Sequence, residues 1–574
     1  MSVKKRERVG KVRGKVLCLG GGRYCINEPA PRVPSWLSSV MLSDFIGMTC
    51  RRARAFDNYT RKELKRDSKI AARALMACGV QPGDCVIILD NYYPGICMVY
   101  AAMRIGAIAI PFSESVSDET LANLIKSRDC NSVLVANDKT AKYAENFCAL
   151  TNNKCKCVFS INTEKLKETN PDIRAKYHDY RNLGLLARFC KKRLKIPWST
   201  GQTIMIGSSS GTSGEAKLFP YVDKHIIFSA LSSRAASRMP LFKKGEETWL
   251  SVVPLQRPYG LITSTLVPSW GRRRIRFVHP EDTIDDLYKE SDVISCAPDF
   301  LDITEAELTI SGYDLTSGGD EKPITLIIGG AHLTPYRIEQ FRSFMHVHGF
   351  RPKICYGYGT SESSGCISVA VGGEYRPDTI GRLCPGVKVW LRKEDGSPYR
   401  LGETGQLWVA GDGVINTYDN SALNDDHICY DDNGEVWVDT GDYVSLQQSG
   451  YLIFRHSEKD FYFTDTHEKI FPAKAEELIN NMEGVKKCWV LGDKERCISA
   501  AFITPMDGID GQELIKNIQQ TILHAKTKNQ EFLTSAEVPN YYEIVELDEI
   551  KENDAGKRDK KTKDYLFNKI FGEN

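Results

Sequence analysis

The feature that most restricts the fold of this 574-residue chain is an alternation of helix and strand patterns that begins near residue 59. Apolar residues recur at helical spacing over 60–78, and a turn (QPGD) leads from there into a short apolar strand, CVIIL. A helix over about 93–104, a strand at 107–112 and another at 132–137 continue the alternation. Helices that alternate with short apolar strands predict a parallel sheet covered by helices, so we expect an α/β fold.

The pattern weakens, resumes and then changes character along the rest of the chain. Residues 151–200 are polar, lysine-rich and weakly periodic, and we interpret them as a variable loop. From 386 to 455, recurring glycines and closely spaced turns predict a β-rich subdomain, and a smaller unit with one helix and two strands follows after about 456. Between residues 200 and 386 the chain has five further strand patterns, at 203–209, 247–254, 273–280, 292–298 and 324–331.

Length and charge limit the organisation and the partners. A chain of 574 residues is too long for one ordinary core, so we expect more than one domain. We predict a basic N-terminal extension (1–40), a large N-terminal domain (41–456) and a small C-terminal domain (457–574). The lysines and arginines of the first 15 residues fit a solvated tail better than a contact with an anionic surface. The net charge of +2 gives no indication of a nucleic-acid partner.

The apolar stretches and the cysteines indicate in which cellular compartment the protein is expected. The stretch 93–112 contains Arg104 and Gly106, which favours a buried helix and strand over a transmembrane segment. No apolar run follows the N-terminal charges, so a secretory signal is not expected. The 18 cysteines are irregularly spaced without a CxxC motif, which favours reduced thiols in a cytoplasmic protein over a disulfide or zinc framework.

The segment SSSGTSGEAK, residues 208–217, is the first candidate for binding chemistry. Its hydroxyls and backbone N–H groups can donate to an anion, its glycines allow close approach, and Lys217 adds a positive charge. A P-loop is excluded because Glu215 and Ala216 separate Gly214 from Lys217. A phosphate-binding loop and a flexible surface loop both stay possible from these residues alone.

Together with five other segments, this one resembles the adenylate-forming superfamily, which includes acyl-CoA synthetases, adenylation domains of nonribosomal peptide synthetases and firefly luciferase. The resemblance covers roughly residues 55–565, with the segments in the order of the family. It implies a large N-terminal domain of layered α/β subdomains plus a β-rich subdomain, and a small, mobile α+β C-terminal domain. The other similar segments are IIGGA (327–331), YGYGTSESSG (356–365), LGETGQLWVAG (401–411), WVDTGD (437–442) and IKENDAGKRDKK (550–561).

The resemblance implies a role for individual residues. Tyr358 is expected against the adenine, Glu362 on Mg²⁺ and Asp442 on both ribose hydroxyls. Lys557 is expected to bridge the attacking carboxylate and the α-phosphate, and it forms the catalytic set with Glu362 and Lys217. The residues expected to bind ATP or AMP are Ser208, Ser209, Ser210, Gly211, Thr212, Ser213, Gly214, Lys217, Gly330, Ala331, Tyr358, Gly359, Thr360, Ser361, Asp442 and Arg455.

The residues after 450 include two departures from the family pattern and the expected hinge. Ser457 falls where the family has a ribose-binding arginine, and Arg455 is the candidate replacement because residues two apart in a strand share a face. Lys459 falls at the hinge of the mobile domain. The segment 461–471 has no glycine where the family lines the channel for the thiol, so the thioester step is less well supported than adenylation.

A further segment, PLQRPYG at 254–260, is similar to one that borders the acyl pocket in acyl-CoA synthetases. Arg257 replaces the usual histidine, and the predicted pocket consists of Arg257, Tyr259, Gly329 and Gly330. Arg257 could bind a second acidic group of the substrate, since arginine binds carboxylates through two hydrogen bonds. A structural salt bridge or a solvent-facing side chain is the alternative.

The resemblance implies that a small carboxylic acid reacts with ATP and Mg²⁺ to give an acyl-adenylate and pyrophosphate, and that the acyl group then passes to CoA. One alternative is transfer to the phosphopantetheine of an acyl carrier protein. Another is a nucleotide-binding protein of this fold without turnover. The presence of Lys217, Glu362, Asp442 and Lys557 favours an enzyme.

Overall fold

The structure is a computed structural model in which most of the predicted elements are present. It describes residues 15–28, 30, 61–90, 93–112, 121, 124, 132–136, 143, 147, 155–160, 177–179, 183–190, 201–208, 217–237, 247–254, 257–261, 267–268, 274–276, 278, 282–312, 321–331, 333, 335–370, 375–377, 379–457, 462–463, 469–470, 472–493, 496–527, 533, 537–550 and 560–572.

The first sheet, sheet I, has seven strands, and every neighbouring pair except the last is parallel. Helices Arg61–Ala77, Tyr93–Ile105 and Leu183–Phe189 accompany it. The helices and strands predicted between 59 and 137 are thus confirmed where they are described. The strand order is Tyr177–Asp179, Cys155–Ser160, Ser132–Ala136, Cys85–Leu89, Ile108–Pro111, Thr203–Ser208, Leu218–Val222.

The interpretation of 151–200 as a variable loop is wrong for its described parts. Residues 155–160 and 177–179 extend the parallel sheet, and a helix follows at 183–189. The sequence of the first of these strands is CKCVFS, in which Lys156 is bound to Asp84 at 2.7 Å. Lysines and short strand length hid the apolar pattern on which the sequence argument relied.

The second sheet, sheet II, also has seven strands, of which the first five are parallel and the last two antiparallel. Helices accompany it at Asp223–Ser237, Pro258–Leu261, Ile284–Glu290, Asp299–Ser311 and Pro335–Val347. The strand order is Arg274–Arg276, Thr248–Ser251, Val293–Cys296, Lys322–Ile328, Phe350–Thr360, Gly365–Val369, Arg382–Leu383.

The third sheet, sheet III, is antiparallel and corresponds to the predicted β-rich subdomain. Six strands run in the order Val16–Gly20, Arg23–Ile26, Lys388–Arg392, Thr404–Ala410, Val436–Leu446, Ile428–Tyr430, and Leu452–Ser457 also pairs with Val436–Leu446. A 3₁₀ turn, Ser421–Leu423, and a short helix, Asn424–His427, precede Ile428–Tyr430.

Two strands of sheet III come from the range predicted to be an N-terminal extension. The hairpin 16–26 pairs with Lys388–Arg392, and Tyr24 and Ile26 belong to the buried core shared with sheets I and II. These residues are therefore part of the sheet and not an appended tail, and the charge run hid the hairpin that follows it. Residues 1–14 lie outside the described residues, so the solvated tail stays a prediction.

The C-terminal residues form a smaller α+β unit. Its strands are Val485–Asp493, Ile498–Pro505 and Tyr541–Ile544, with a separate pair at Tyr462–Phe463 and Lys469–Ile470. Its buried residues from 475 to 567 form clusters separate from the large core, which ends at Leu452. The helices are Ala473–Asn480, Gly511–Thr527 and Lys560–Phe571, with a 3₁₀ turn at Leu547–Glu549.

A helix that spans a bilayer needs about 20 predominantly apolar residues. None of the described helices is both long enough and apolar enough to span a membrane.

Candidate functional site

Lys217 lies at the base of the serine–glycine segment, beside the end of the preceding strand. Ser208 pairs with Leu218 in antiparallel register, so the two ends of the segment are adjacent in sheet I. The segment leads into a strand and not into a helix, which agrees with the exclusion of a P-loop. The predicted phosphate ligands Ser209, Ser210, Gly211, Thr212, Ser213 and Gly214 lie outside the described residues, and their roles stay predictions.

Two side chains that the sequence argument missed hold the Lys217 ammonium. Its Nζ atom lies 2.9 Å from Nε2 of His427 and 5.3 Å from the centre of the Tyr418 ring. An imidazole accepts a hydrogen bond from lysine only when it is neutral, and a ring face attracts a cation through its quadrupole. Both partners are then uncharged, and neither cancels the positive charge of Lys217.

The Tyr418 side chain contacts Glu362 as well as Lys217. The Tyr418 hydroxyl donates to Oε1 of Glu362 at 3.2 Å, and the Ile415 N–H donates to the Glu362 carbonyl at 2.9 Å. Burial, with the Glu362 charge second, raises the pKa of Tyr418, so its phenol stays protonated as a donor. Tyr418 thus connects the predicted metal ligand with the predicted phosphate-binding lysine. We call Lys217, Glu362, Tyr418 and His427 the phosphate cluster, after the predicted roles of the first two.

Hydroxyls and a glycine fix the turn that carries Glu362. The Thr360 N–H donates to the Ser363 hydroxyl oxygen at 3.1 Å, and the Ser363 N–H donates to the Thr360 hydroxyl oxygen at 3.3 Å. A Cβ atom at Gly359 would overlap the carbonyl oxygen of Gly365 across the strand pair. Only glycine therefore permits this close approach, which sets the position of the acid.

The neighbouring residue of the turn, Ser361, is held from sheet I. Its carbonyl oxygen accepts from the Tyr221 hydroxyl at 2.9 Å. Burial raises the pKa of Tyr221 well above its usual value, so this donor is also kept protonated. The hydrogen bond joins the strand after Lys217 to the turn of Glu362.

Tyr358 and Asp442, predicted at the adenine and the ribose, are bonded directly to each other. The Tyr358 hydroxyl donates to Oδ2 of Asp442 at 2.6 Å. Burial, with the Asp442 charge second, raises the pKa of Tyr358 well above its usual value. The Asp442 N–H donates to the Thr440 hydroxyl oxygen at 3.2 Å, which fixes the backbone from which the Asp442 side chain projects. We call Tyr358 and Asp442 the ribose pair. Tyr358 stands four residues before Glu362, so one strand and its turn carry residues of both groups.

Arg455 is placed differently from the simple strand alternation on which its prediction rests. A register shift opposite Tyr443 and Val444 makes Arg455 the extra residue of a β-bulge. Its side chain is exposed, and its Nε donates to the Ser445 hydroxyl oxygen at 2.9 Å. Ser457 is the residue that pairs with the predicted ribose carboxylate. The bulge interrupts the two-residue alternation, and a ribose contact from Arg455 stays a prediction.

The predicted acyl-pocket residues lie around the ends of two sheet II strands. The Tyr259 hydroxyl donates to the Ile327 carbonyl at 2.7 Å and approaches the Cys296 carbonyl at 3.3 Å. A Cβ atom at Gly329 would lie 3.8 Å from the Tyr259 ring, so the two residues are neighbours. Arg257 is half-buried immediately before the helix that carries Tyr259.

The glycine that follows in the same segment also has a conformation that suits an exposed ligand-facing backbone. Gly330 is exposed and adopts φ +99°, in the left-handed region, and a Cβ atom there would meet nothing within 4 Å. The next carbonyl, of Ala331, accepts from the Tyr356 hydroxyl at 2.7 Å. The chain turns sharply after the strand and leaves the backbone of Gly330 exposed.

Two predicted functional residues cannot be placed. Lys459, the predicted hinge, and Lys557, the predicted catalytic lysine, lie outside the described residues, so no distance joins either to the phosphate cluster. The residues that the sequence argument missed, Tyr418 and His427, stand in none of its motifs. Their only signal was that Tyr418 follows closely on the family-like segment 401–411.

The fold and the site together define a class. Layered α/β sheets, an antiparallel third sheet and a small C-terminal unit, with Lys217, Glu362 and Asp442 on adjoining elements, are the arrangement of the adenylate-forming superfamily. Residues 47–419 match the sequence profile of the family described as AMP-binding enzyme. The chain therefore belongs to the AMP-binding enzyme family.

Named relatives agree with this membership, and solved structures share the fold. The chain is 26% identical over 282 residues to the acyl-CoA ligase AKT1 of Alternaria alternata, covering 48% of this chain and 47% of the relative. The chain thus spans about half the length of that relative. The anthranilate CoA ligase AuaEII, solved with anthranoyl-AMP, superposes with a TM-score of 0.74 at 16% identity over 92% of this chain and 98% of that one. The O-succinylbenzoate-CoA synthetase of Bacillus subtilis, solved with ATP and magnesium, gives 0.68 at 18% identity over 90% and 98%. At these identities the two structures establish the fold.

Proposed function

We propose that the chain joins a small carboxylic acid to ATP, releasing pyrophosphate, and transfers the acyl group from the resulting acyl-adenylate to the thiol of CoA. The observation that carries this proposal is the convergence of Lys217 and Glu362 on Tyr418, with Tyr358 of sheet II bonded to Asp442 of sheet III. Family membership and the acyl-CoA ligase relatives support it.

The first step brings two anions together, so its main requirement is positive charge at the phosphates. Lys217 supplies one such charge at the base of the serine–glycine segment. Glu362 would hold Mg²⁺, which would neutralise phosphate oxygens when bound. Within the described residues no cluster of three or more His, Cys, Asp or Glu could form an all-protein metal cage. One carboxylate completed by substrate phosphates suits Mg²⁺, and the ATP–magnesium complex of the Bacillus subtilis synthetase supports this assignment.

The ribose pair suits the recognition of a neutral sugar. An ionised carboxylate has about four lone-pair sites, so Asp442 can keep the Tyr358 hydrogen bond and still accept from both ribose hydroxyls. The phenol fixes the carboxylate before the nucleotide arrives.

We also propose roles for the C-terminal residues. Lys557 would stabilise the charge that develops between the carboxylate and the α-phosphate, and the unit after residue 456 would move about Lys459 before thiol attack. The glycine-free segment 461–471 bears on that second step, because bulkier side chains narrow a channel that glycine leaves open. A carrier-protein phosphopantetheine is the alternative acceptor. Arg257 makes an acid with a second acidic group a candidate substrate. Use of ATP and CoA implies a cytoplasmic location.

The test is ATP–pyrophosphate exchange over a library of carboxylic acids, including dicarboxylic and aromatic acids. We expect exchange with at least one acid, and loss of it in Lys217→Ala. Addition of CoA should then yield a thioester; thioester formation only with a phosphopantetheinylated carrier protein would replace CoA by the carrier. Tight ATP binding with no exchange for any acid would overturn the catalytic proposal and leave a nucleotide-binding protein.

A further inference from the structure

We propose that His427 is a positioning residue that holds the Lys217 ammonium in place for the β- and γ-phosphates of ATP. The inference rests on the proposed function, because it assumes that Lys217 meets the triphosphate. Its starting observation is the 2.9 Å distance between Lys217 Nζ and His427 Nε2. The two residues are 210 positions apart, so the contact is a product of the fold and not of local sequence.

Local structure fixes the backbone of His427 on both sides. The Asn424 side chain accepts from the Tyr418 N–H at 2.9 Å and donates to the Thr417 hydroxyl oxygen at 3.0 Å, which ties the helix Asn424–His427 to the segment below it. Immediately after His427, Ile428 enters a strand of sheet III. The histidine is therefore held between a side-chain clamp and a sheet, while lysine has four flexible bonds of its own.

The chemistry of the contact suits a group that waits for an anion. A carboxylate at this distance would neutralise Lys217 and compete with phosphate, whereas a neutral imidazole orients the ammonium and leaves its charge in place. The Tyr418 ring adds a second uncharged contact, 5.3 Å from Nζ to its centre. Ordering the lysine before ATP arrives reduces the side-chain entropy that binding must otherwise remove.

The test compares two nucleotides by calorimetry, Mg·ATP and AMP, because AMP lacks the phosphates that the inference assigns to Lys217. In His427→Ala we expect the Kd for Mg·ATP to rise about tenfold and the Kd for AMP to stay within about twofold, the scale of one hydrogen bond to a charged group. His427→Gln keeps an acceptor of similar reach, so it should restore most of the ATP affinity. Thermal unfolding of each variant reports whether the fold is intact.

The matched control is His346, an exposed histidine bound to Glu321 at 2.9 Å on a distant helix. The changes His346→Ala and His346→Gln should leave both Kd values unchanged. An equal loss for ATP and AMP in His427→Ala would overturn the inference, and so would no loss for either. Failure of the wild-type protein to bind either nucleotide would instead remove the proposed function, and the inference with it.

Discussion

In both the phosphate cluster and the ribose pair, a tyrosine hydroxyl donates a hydrogen bond to a carboxylate, but the two hydrogen bonds differ in length. In the ribose pair the hydrogen bond from Tyr358 to Asp442 measures 2.6 Å. In the phosphate cluster the bond from Tyr418 to Glu362 measures 3.2 Å, and the same tyrosine ring also lies against Lys217.

The difference follows from what each group is proposed to bind. A ribose is neutral, so its recognition needs an acceptor with fixed orientation, and a short bond to a buried phenol provides one. A triphosphate arrives with a metal ion and four negative charges, so the acid must be able to turn toward the metal and the lysine must keep its charge. The contacts with His427 and with the Tyr418 ring meet the second requirement, because neither adds a negative charge beside Lys217.

The largest effect is expected from a residue outside both groups. If the two groups only bind the nucleotide, then Lys557→Ala should leave Mg·ATP affinity nearly unchanged and lower adenylation by about two to four orders of magnitude, as for loss of one preorganised electrostatic group. Pyrophosphate exchange with an accepted acid measures the loss. Lys516→Ala, an exposed helix lysine of the same C-terminal unit, is the control. An unchanged exchange rate would refute the role of Lys557.

The next effect separates the two groups from each other. Glu362→Gln keeps the size of the side chain and removes the charge proposed to hold Mg²⁺, so exchange should fall roughly a hundredfold while AMP affinity stays within about twofold. Asp442→Asn should weaken ATP and AMP alike, by about tenfold, because both nucleotides carry the ribose. Each variant is the control for the other. If both show the same pattern, the division of labour between the groups is wrong.

The smallest effect on nucleotide binding is expected from a residue that supports the phosphate cluster, and its change appears as pH dependence of stability. His225 is buried, and its Nε2 atom lies 3.1 Å from Oδ1 of Asn416. Asn416 belongs to the segment that leads to Tyr418. Burial lowers the pKa of His225 to about 4, against an ordinary value near 6.5. Its stabilising contribution is complete above about pH 6.5 and is lost as the pH falls toward 4, because the unfolded chain takes up a proton that the folded chain does not.

Thermal unfolding from pH 8 to pH 4.5 measures this contribution, which is about 3 kcal/mol at most from a shift of this size. We expect the midpoint of wild-type protein to fall more steeply below about pH 6.5 than that of His225→Gln. If the unfolding midpoints of the two proteins fall in parallel as the pH is lowered, protonation of His225 does not cause the loss of stability at low pH.

Much of the fold was predictable because its signals are local. The helices and strands of 59–137 show their period directly, and Gly359 and Gly330 stand where close approach or left-handed backbone requires glycine. The hairpin 16–26 and the strand 155–160 were missed because lysines and short length obscure alternation. Their assignment depends on pairing partners that lie far along the chain.

The site was predictable only in part, for the same reason. Lys217, Glu362 and Asp442 stand in recognisable segments, but Tyr418 and His427 gain their roles from contacts across sheets. At Arg455 one bulge residue interrupts the alternation of strand faces on which its prediction rests, and its contact with the ribose stays a prediction. Motifs therefore gave the groups that are proposed to meet the ligand, and the fold gave the groups that contact them.

The most direct test of the account is a crystal structure of the protein with ATP and Mg²⁺. It should show the metal on Glu362, the β- and γ-phosphates against Lys217 with His427 still bound to the same ammonium, and the ribose hydroxyls on Asp442. A triphosphate bound remote from Lys217 and Glu362, or a ribose that does not touch Asp442, would contradict the division of one nucleotide between these two groups.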